Sequence, residues 1–265
     1  MDFNDILYVK ENGVARITIN REKVMNAFRP DTVEEMILAF RDADSDPDIG
    51  VAVLGGVGER AFCTGGDQSS HDGKYAGRGV AGMPIEELHN AIRDCRVPVI
   101  ARVQGYAIGG GNVLATLCDL TIASEKAIFG QVGPKVGSVD PGWGTAYLAR
   151  IVGEKKAREI WYFCRRYTAA QAEAMGLVNV VVPHDQLDAT VDDWCAELLE
   201  KSPTAIAIAK RSFNADSDNI RGIGSTGLEA LALFYQTPES REGATAFREK
   251  RKPDFRGVRN RKDVE

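Results

Sequence analysis

Short apolar strands alternate with amphipathic helices in the first half of the sequence, and this alternation limits the fold more than any other feature. GVAVLGG, VPVIARV and DLTIAS are typical of buried strands, whereas PIEELHNAIRDC and GGGNVLATLC have the apolar spacing of helices. Strands that alternate with helices usually pair in parallel, because the intervening helix carries the chain back along the sheet. The sequence therefore predicts an α/β fold with a mainly parallel sheet.

The two ends of the chain have different patterns. ILYVKENGVARITINR predicts a β-hairpin with its turn at Asn12-Gly13, and DTVEEMILAFRDAD predicts a helix with Asp31 as its N-cap. After Thr145 nearly every segment has helical spacing, and LVNVVVP is the only strand expected there. We therefore expect an α/β core over residues 1–200 and a helical C-terminal region over residues 201–265.

Composition and charge exclude several classes of protein. The chain has 265 residues and a net charge of −5, whereas nucleic-acid binding requires a basic surface. Five cysteines without a C-x-x-C pair and three dispersed histidines predict neither a disulfide framework nor a metal site. The N-terminus is too charged for a signal peptide, and no apolar run approaches the roughly 20 residues of a membrane span. We expect a cytoplasmic protein without nucleic-acid or membrane partners.

Three glycine-rich stretches carry the candidate chemistry. AFCTGGDQ and VQGYAIGGGNVLATLCD each place glycines in a turn that follows a strand, and the second turn leads into a helix. Free backbone N–H groups at such turns can hold an oxyanion. The third stretch, FGQVGPKVGSVDPGWG, contains one acidic residue, Asp140, among glycines and apolar residues. Poor solvation there would raise the pKa of that carboxyl group toward the range useful for proton transfer.

Together these stretches resemble the crotonase (enoyl-CoA hydratase/isomerase) superfamily over essentially the whole chain. The resemblance implies a spiral of ββα repeats, a helical C-terminal trimerisation region, a homotrimer or homohexamer, and an acyl-CoA substrate. It also implies an oxyanion hole built from the backbone N–H groups of Gly66 and Gly110. The tight turns alone would explain these glycines, but two correctly spaced turns beside the third stretch favour the hole.

The sequence also departs from this family. Enoyl-CoA hydratases add water with two glutamates, and the matching positions here hold Val113 and Gly133. Asp140 stands where those enzymes commonly have proline. Hydration by the two-glutamate route is therefore not expected.

TGGDQSSHDGKY, GSVDPGWGTA, VPHDQLDA and SPTAIAIAKRSFN resemble a subfamily of hydrolases that open 2-oxocyclohexane-1-carboxyl-CoA to pimeloyl-CoA in benzoate and cyclohexanecarboxylate degradation. In the reaction that this resemblance implies, Asp140 is the general base for the attacking water. Tyr235, Ser138 or His71 polarises the ring ketone. The pocket residues are Tyr75, Gln131 and Gly133, and bicarbonate is a possible ligand in the space of the missing glutamate. No other cofactor is expected.

Plainer roles remain open for several of these residues. Asp140 precedes a proline and is a possible helix N-cap. Tyr235 shares helical spacing with Leu228 and Leu231, as a core aromatic residue would. Ser138 is a possible turn residue, and His71 lies in a glycine-rich loop where a solvated histidine is common.

The family resemblance also implies where CoA binds. Adenine would lie along the backbone from Lys23 through Met25 to Ala27. Lys250 and Lys252, in the basic tail KRKPDFRGVRNRK, would contact phosphates, although a solvated tail is the plainer interpretation.

Two other functions fit parts of the sequence. One is 1,4-dihydroxy-2-naphthoyl-CoA synthase, a related ring-closing enzyme that has basic residues where this chain has Ser69 and His71. The other is a catalytically silent binding protein with this fold, for example one that binds RNA. The acidic composition and the retention of Asp140 argue against it.

Overall fold

The computed structural model describes residues 2–70 and 75–260 and contains two β-sheets. The larger sheet has six strands in the order β1-β2-β3-β5-β7-β10, and the smaller has four in the order β4-β6-β8-β9. The strands are β1 (Ile6–Glu11), β2 (Val14–Ile19), β3 (Val51–Gly56), β4 (Ala61–Cys63), β5 (Val99–Val103), β6 (Tyr106–Ile108), β7 (Leu120–Ser124), β8 (Ile128–Gly130), β9 (Tyr167–Thr168) and β10 (Val180–Val182).

From β3 to β8, consecutive strands enter the two sheets alternately, which produces the spiral. β3, β5 and β7 pair in parallel in the larger sheet, and the strand after each, β4, β6 or β8, pairs in parallel in the smaller one. Antiparallel pairing occurs between β1 and β2 and between β8 and β9. The expectation of an α/β spiral with a mainly parallel sheet is confirmed.

Twelve α-helices are described around and beyond the sheets. They are α1 (Pro30–Ser45), α2 (Ile85–Asp94), α3 (Gly110–Leu117), α4 (Gly133–Val136), α5 (Leu148–Val152), α6 (Glu154–Phe163), α7 (Ala169–Ala174), α8 (Leu187–Leu199), α9 (Pro203–Ala215), α10 (Asn219–Phe234), α11 (Pro238–Arg248) and α12 (Phe255–Asn260). A π-helical turn, Trp143–Tyr147, precedes α5. None of the helices in this described set is long and apolar enough to cross a bilayer.

The core lies on both faces of the larger sheet. All six residues of β3 are buried, as expected for a strand covered on each side. Helix α1 packs its Val33, Met36, Ile37 and Phe40 stripe into this core, because those positions share one face of a 3.6-residue repeat. This packing holds the sheets in place, and it therefore also positions the loops that follow their strands.

Two details of the sequence-based prediction are wrong. Helix α1 begins at Pro30, so Asp31 lies in its first turn, and the hydroxyl of Thr32 accepts a hydrogen bond from the Arg29 N–H. Proline is favoured at a first helical position because its fixed φ suits the helix and its missing N–H is not needed there. The second error is β9, a two-residue strand that the sequence pattern is too short to indicate.

From Pro203 to Asn260 the chain forms helices α9 to α12, joined by short non-helical connections, and Lys210 on α9 anchors this segment to the core. The Lys210 ammonium is 2.7 Å from the Asp119 carboxylate and donates hydrogen bonds to the carbonyls of Ile92 and Val97. The ammonium group therefore exchanges water for several acceptors, as a buried charge requires. The boundary at residues 200/201 and the trimerisation role of this region stay predictions.

Candidate active site

The three glycine-rich stretches meet because they follow three neighbouring parallel strands. β4, β6 and β8 lie side by side in the smaller sheet, so their carboxyl ends share one edge. The Gly109 N–H donates to the Gly130 carbonyl over 2.9 Å, which joins the second stretch to the third. A cavity opens at this edge. Its lining comprises Phe28, Thr64, Gly65, Gly66, Gln68, Tyr75, Ala81, Met83, Ile85, Gly109, Gly110, Gln131, Val132, Gly133, Val136, Ser138, Val139, Asp140, Trp161, Leu228, Leu231, Tyr235 and Phe247.

The predicted oxyanion hole has the close backbone approach that it needs. A Cβ atom on Gly65 would lie 2.8 Å from the backbone nitrogen of Gly110, so the two turns are in contact. Gly110 is the first residue of α3, and its N–H therefore has no acceptor within the helix. On the other turn, hydrogen bonds between Phe28 and the carbonyl of Gly65 and the N–H of Asp67 fix the chain on both sides of Gly66. Both predicted donors, Gly66 and Gly110, line the cavity.

Asp140 lies in the cavity wall among apolar neighbours. Its side chain is 17% exposed, and its Oδ1 atom has no hydrogen-bond partner among the described residues. Burial raises the pKa of Asp140 to about 7, although the backbone N–H of Gly144 opposes the rise. That N–H belongs to the turn that follows, so a capping-type contact is present as well. The unpartnered oxygen, Oδ1, keeps its lone pairs for a proton.

The raised pKa of Asp140 predicts a cost in stability at neutral pH. The folded protein keeps a proton that the unfolded chain releases above pH 3.8, so stability from this group falls as pH rises toward about 7. We expect Asp140→Asn to be more stable than the wild type at about pH 8, by roughly 2–4 kcal/mol given the partial exposure of the side chain. At about pH 4 the difference should largely vanish. Urea unfolding at both pH values measures this, and an equal difference at the two would contradict it.

Two hydroxyl groups meet beside Asp140. Ser138 Oγ and Tyr235 Oη are 2.8 Å apart, although the residues are 97 positions apart in the chain. Burial raises the pKa of Tyr235 to about 12, with the Ser138 hydrogen bond opposing the rise and the Asp140 charge adding to it. Tyr235 also packs with Leu228 and Leu231, so the core interpretation holds for its ring. Its hydroxyl group reaches the cavity within one chain.

The other predicted pocket residues also line the cavity. Tyr75 is 7% exposed, and its hydroxyl oxygen lies 2.1 Å from where a Cβ of Gly66 would be. Burial raises the pKa of this phenol. Gln131 is 1% exposed, and neither atom of its amide group has a partner in the described part of the chain. His71 lies outside the described residues.

The positions of the two hydratase glutamates are filled by packing. Val113 is fully buried, and its Cγ2 atom would be 3.0 Å from a Cβ on Gly144. A Cβ on Gly133 would lie 2.5 Å from the Ser138 carbonyl oxygen and 2.9 Å from Cζ3 of Trp161. A glutamate at residue 133 would therefore require the backbone to move. Trp161 is held there by donating its indole N–H to the Gly144 carbonyl.

Bicarbonate fits this lining poorly. Gln131 offers an amide donor, but no lysine or arginine lines the cavity in the part of the chain that the structure describes. An added anion would face the ionised carboxylate of Asp140 without a compensating cation. Binding of bicarbonate stays a prediction. The described residues also contain no group of three His, Cys, Asp or Glu side chains suited to a metal ion.

The predicted CoA residues form two groups in the chain, and each group has one residue hydrogen-bonded to a residue of the cavity lining. Lys23 is exposed, and the carbonyl of Met25 accepts a hydrogen bond from the hydroxyl of Thr64, a cavity residue. The carbonyl of Ala27 is held by the guanidinium of Arg21.

In the second group, the exposed Lys250 follows α11, and its N–H donates to the carbonyl of Phe247, which lines the cavity. Lys252 is exposed two residues further on. The CoA contacts of both groups stay predictions.

The sequence analysis missed His89, which the structure places beside Asp140. Its ring is 2% exposed, and the Nε2 atom is 4.0 Å from Asp140 Oδ2. Burial lowers the pKa of His89 to about 3. The available signal was its position on the apolar face of α2, one turn from Ile85 and Ile92.

Comparison with known proteins identifies the family. The model of the enoyl-CoA hydratase/isomerase family matches residues 9–259. The chain belongs to the enoyl-CoA hydratase/isomerase family, within the crotonase superfamily. An enoyl-CoA hydratase from Mycobacterium avium subsp. paratuberculosis K-10 is 31% identical, with a TM-score of 0.86 over 96% of this chain and 99% of that one. An enoyl-CoA hydratase/carnitine racemase from Magnetospirillum magneticum is also 31% identical, with a TM-score of 0.76 over 96% of both chains.

Membership of the enoyl-CoA hydratase/isomerase family confirms the expected fold and indicates a CoA thioester as the substrate class. It does not distinguish among reactions of the family, since its members share the fold and differ in their acid and base residues. The choice among reactions depends on the side chains of the cavity.

Proposed function

We propose that the protein is a hydrolase that opens the ring of 2-oxocyclohexane-1-carboxyl-CoA with water to give pimeloyl-CoA. The observation that supports this most is the placement of one acid, Asp140, with a raised pKa beside a Ser138–Tyr235 hydroxyl pair, in a cavity that is also lined by Gly66 and Gly110. A retro-Dieckmann cleavage needs such a set: one base, one donor for a ketone oxygen, and one hole for a thioester enolate.

The first step uses Asp140 as the base. The carboxylate takes a proton from water, and the hydroxide adds to the ring ketone carbon to form a tetrahedral alkoxide. One hydroxyl group of the Ser138–Tyr235 pair donates to this oxygen and accepts a hydrogen bond from the other. A phenol in a poorly solvated site is a stronger stabiliser of developing charge than it is in water, because its dipole is already oriented.

In the second step, the alkoxide collapses to a carboxylic acid and the bond to the α-carbon breaks. The electron pair moves into the thioester, and the enolate oxygen accepts hydrogen bonds from the Gly66 and Gly110 N–H groups. The protonated Asp140 then returns its proton to the α-carbon. Water is thereby divided between the new carboxyl group and the α-carbon, and Asp140 is restored as a carboxylate.

The test is incubation of the purified protein with 2-oxocyclohexane-1-carboxyl-CoA and mass analysis of the product. We expect pimeloyl-CoA, and intact substrate would refute the proposal. Incubation with o-succinylbenzoyl-CoA tests the naphthoate synthase alternative, for which an aromatic product would appear in the absorbance spectrum. Binding of RNA at physiological salt without turnover of either thioester would favour the silent binding protein.

Tyr235→Phe provides a prediction about the ketone donor. The phenylalanine ring keeps the packing against Leu228 and Leu231 and removes the hydroxyl group that pairs with Ser138. We expect kcat to fall by about 10- to 10²-fold with little change in KM, because the lost hydrogen bond is strongest to the alkoxide. Steady-state kinetics measure this, and Tyr162→Phe, which removes an exposed phenol hydroxyl on α6 outside the cavity, is the control. Equal kcat in Tyr235→Phe and wild type would show that another group donates to the ketone oxygen.

As members of this family commonly form trimers or hexamers, we propose the same assembly here. The helical C-terminal region has exposed apolar side chains at Ile208, Phe213 and Leu233, which such an assembly would cover. Light scattering of the full chain distinguishes a monomer, a trimer and a hexamer.

A further inference from the structure

His89 is a buried histidine whose outer ring nitrogen lacks a hydrogen-bond partner among the described residues. It lies on α2 between Leu88 and Ile92, both of which are fully buried. A buried polar atom without a partner is rare in folded proteins, because it loses its hydrogen bonds to water and gains none in return. The position of His89 therefore requires an explanation beyond filling the core.

The carboxylate of Asp140 lies close to His89 and also lacks a partner for one oxygen. His89 Nε2 is 4.0 Å from Asp140 Oδ2, and Asp140 Oδ1 is the unpartnered atom. A hydrogen bond needs about 2.7–3.2 Å, so an approach of roughly 1 Å would join the two groups. Small rotations of the side chains supply such a movement, since terminal torsions of aspartate and histidine have broad minima.

The surroundings determine which protonation state of His89 takes part. Arg93 lies one turn further along α2, with its guanidinium 4.4 Å from the centre of the Trp143 ring. Asp140 faces His89 from the segment before the π-helical turn, and Tyr235, at the end of α10, lies near Asp140. Arg221 of α10 contacts Asn90 and Asp94 on α2. Because burial disfavours the charged imidazolium, His89 remains neutral and can donate one proton from Nε2.

We infer that His89 is a positioning residue, whose neutral imidazole donates its Nε2–H to the Asp140 carboxylate and orients that carboxylate toward the attacking water. This role rests on the proposed function, in which Asp140 is the base. The donated hydrogen bond stabilises the ionised carboxylate more than the protonated one. It therefore opposes the effect of burial and keeps a useful fraction of Asp140 ionised near neutral pH.

The test measures the titration of Asp140 directly. The carbonyl stretch of its protonated carboxyl group is followed by infrared spectroscopy against pH, and the band is assigned by its loss in Asp140→Asn. His89→Met removes the donor at similar volume. His89→Gln keeps an N–H near the Nε2 position, whereas His89→Asn has the same amide group on a shorter chain that does not reach it.

We expect the titration midpoint of Asp140 to rise by about one pH unit in His89→Met and His89→Asn, and to stay near the wild-type value in His89→Gln. The acid limb of the pH profile of kcat/KM should move in the same way. At a pH below the midpoint, kcat/KM should therefore be about tenfold lower. A purely structural role would change stability without this selective rescue by glutamine.

An unchanged midpoint in His89→Met and His89→Asn would overturn the inference, and so would a shift in His89→Gln as large as in the other two. If His89→Met fails to fold, the asparagine and glutamine pair decides, since the two amides differ by one methylene group. The infrared measurement requires no turnover. Failure of the hydrolase assay would therefore refute the proposed function and leave the result on His89 readable.

Discussion

Asp140→Asn is expected to lower turnover of 2-oxocyclohexane-1-carboxyl-CoA by at least about 10²-fold while leaving acyl-CoA affinity largely intact. Asparagine keeps the size of the side chain and its capping-type contact with the turn at Gly144, but it cannot accept a proton from water. In the proposed mechanism other residues bind the thioester, chiefly the backbone at Gly66 and Gly110. The measurements are kcat from steady-state kinetics and the Kd of pimeloyl-CoA by calorimetry.

Asp192→Asn is the matched control for this change. Asp192 is a 60% exposed carboxylate on α8 that pairs with Arg16, and it lies outside the cavity. The same chemical substitution there should leave kcat and Kd unchanged, since an exposed ion pair contributes little. Normal turnover in Asp140→Asn would remove Asp140 from the role of base. A large loss of ligand affinity instead would make it a binding residue.

The second large effect is expected at Gly110, where proline removes the backbone donor of the predicted oxyanion hole. Proline is accepted at the first position of a helix, so Gly110→Pro removes the first N–H of α3 without breaking the helix. A Cβ atom there would lie 2.6 Å from Cζ of Phe28, the end of a side chain that can move. Gly110→Ala introduces the same Cβ atom and keeps the N–H.

We expect kcat/KM of Gly110→Pro to be about 10²- to 10³-fold below that of Gly110→Ala, as for the loss of one oxyanion donor. The ratio of the two kcat/KM values separates the effect of the lost N–H from the effect of displacing the phenylalanine ring. Thermal melting of both proteins checks that the fold is kept. Equal kcat/KM in the two variants would show that the Gly110 N–H does not hold the enolate oxygen.

The sequence predicted the elements of the fold well because their signals are local. The hairpin follows from Asn12-Gly13, where Asn12 has a φ of 51° and Gly13 a φ of 79°. The parallel strands follow from short apolar runs. The start of α1 was misplaced because Asp31 and Pro30 both favour a helix start. Proline takes the first helical position because it has no N–H to donate, which places Asp31 inside the first turn.

Parts of the candidate site could be predicted for a different reason. Asp140 was noticeable as one acid in an apolar stretch, and the glycine turns could be compared with a known family. The partner of Tyr235 could not be predicted, since Ser138 is 97 positions away and the contact depends on how α10 packs. His89 was missed because its 4.0 Å approach to Asp140 is a tertiary contact between two segments without any shared motif.

The filled glutamate positions show what the structure adds to a sequence comparison. The sequence shows that Val113 and Gly133 replace two acids, which argues only that one reaction is absent. The structure shows that the indole of Trp161 and the Ser138 carbonyl occupy the space beside Gly133. Reintroducing a glutamate there would therefore not restore hydration, because the side chain has no room on this backbone.

Isotope-labelled water tests the proposed ring opening, because its atoms can be followed into the product. The purified protein is given 2-oxocyclohexane-1-carboxyl-CoA in deuterated water enriched in heavy oxygen, and the pimeloyl-CoA is fragmented in a mass spectrometer. We expect one heavy oxygen in the free carboxyl group and deuterium on the carbon next to the thioester. Unopened cyclic substrate that has gained heavy oxygen, or hydrolysis of the thioester to free CoA, would contradict the proposed ring opening.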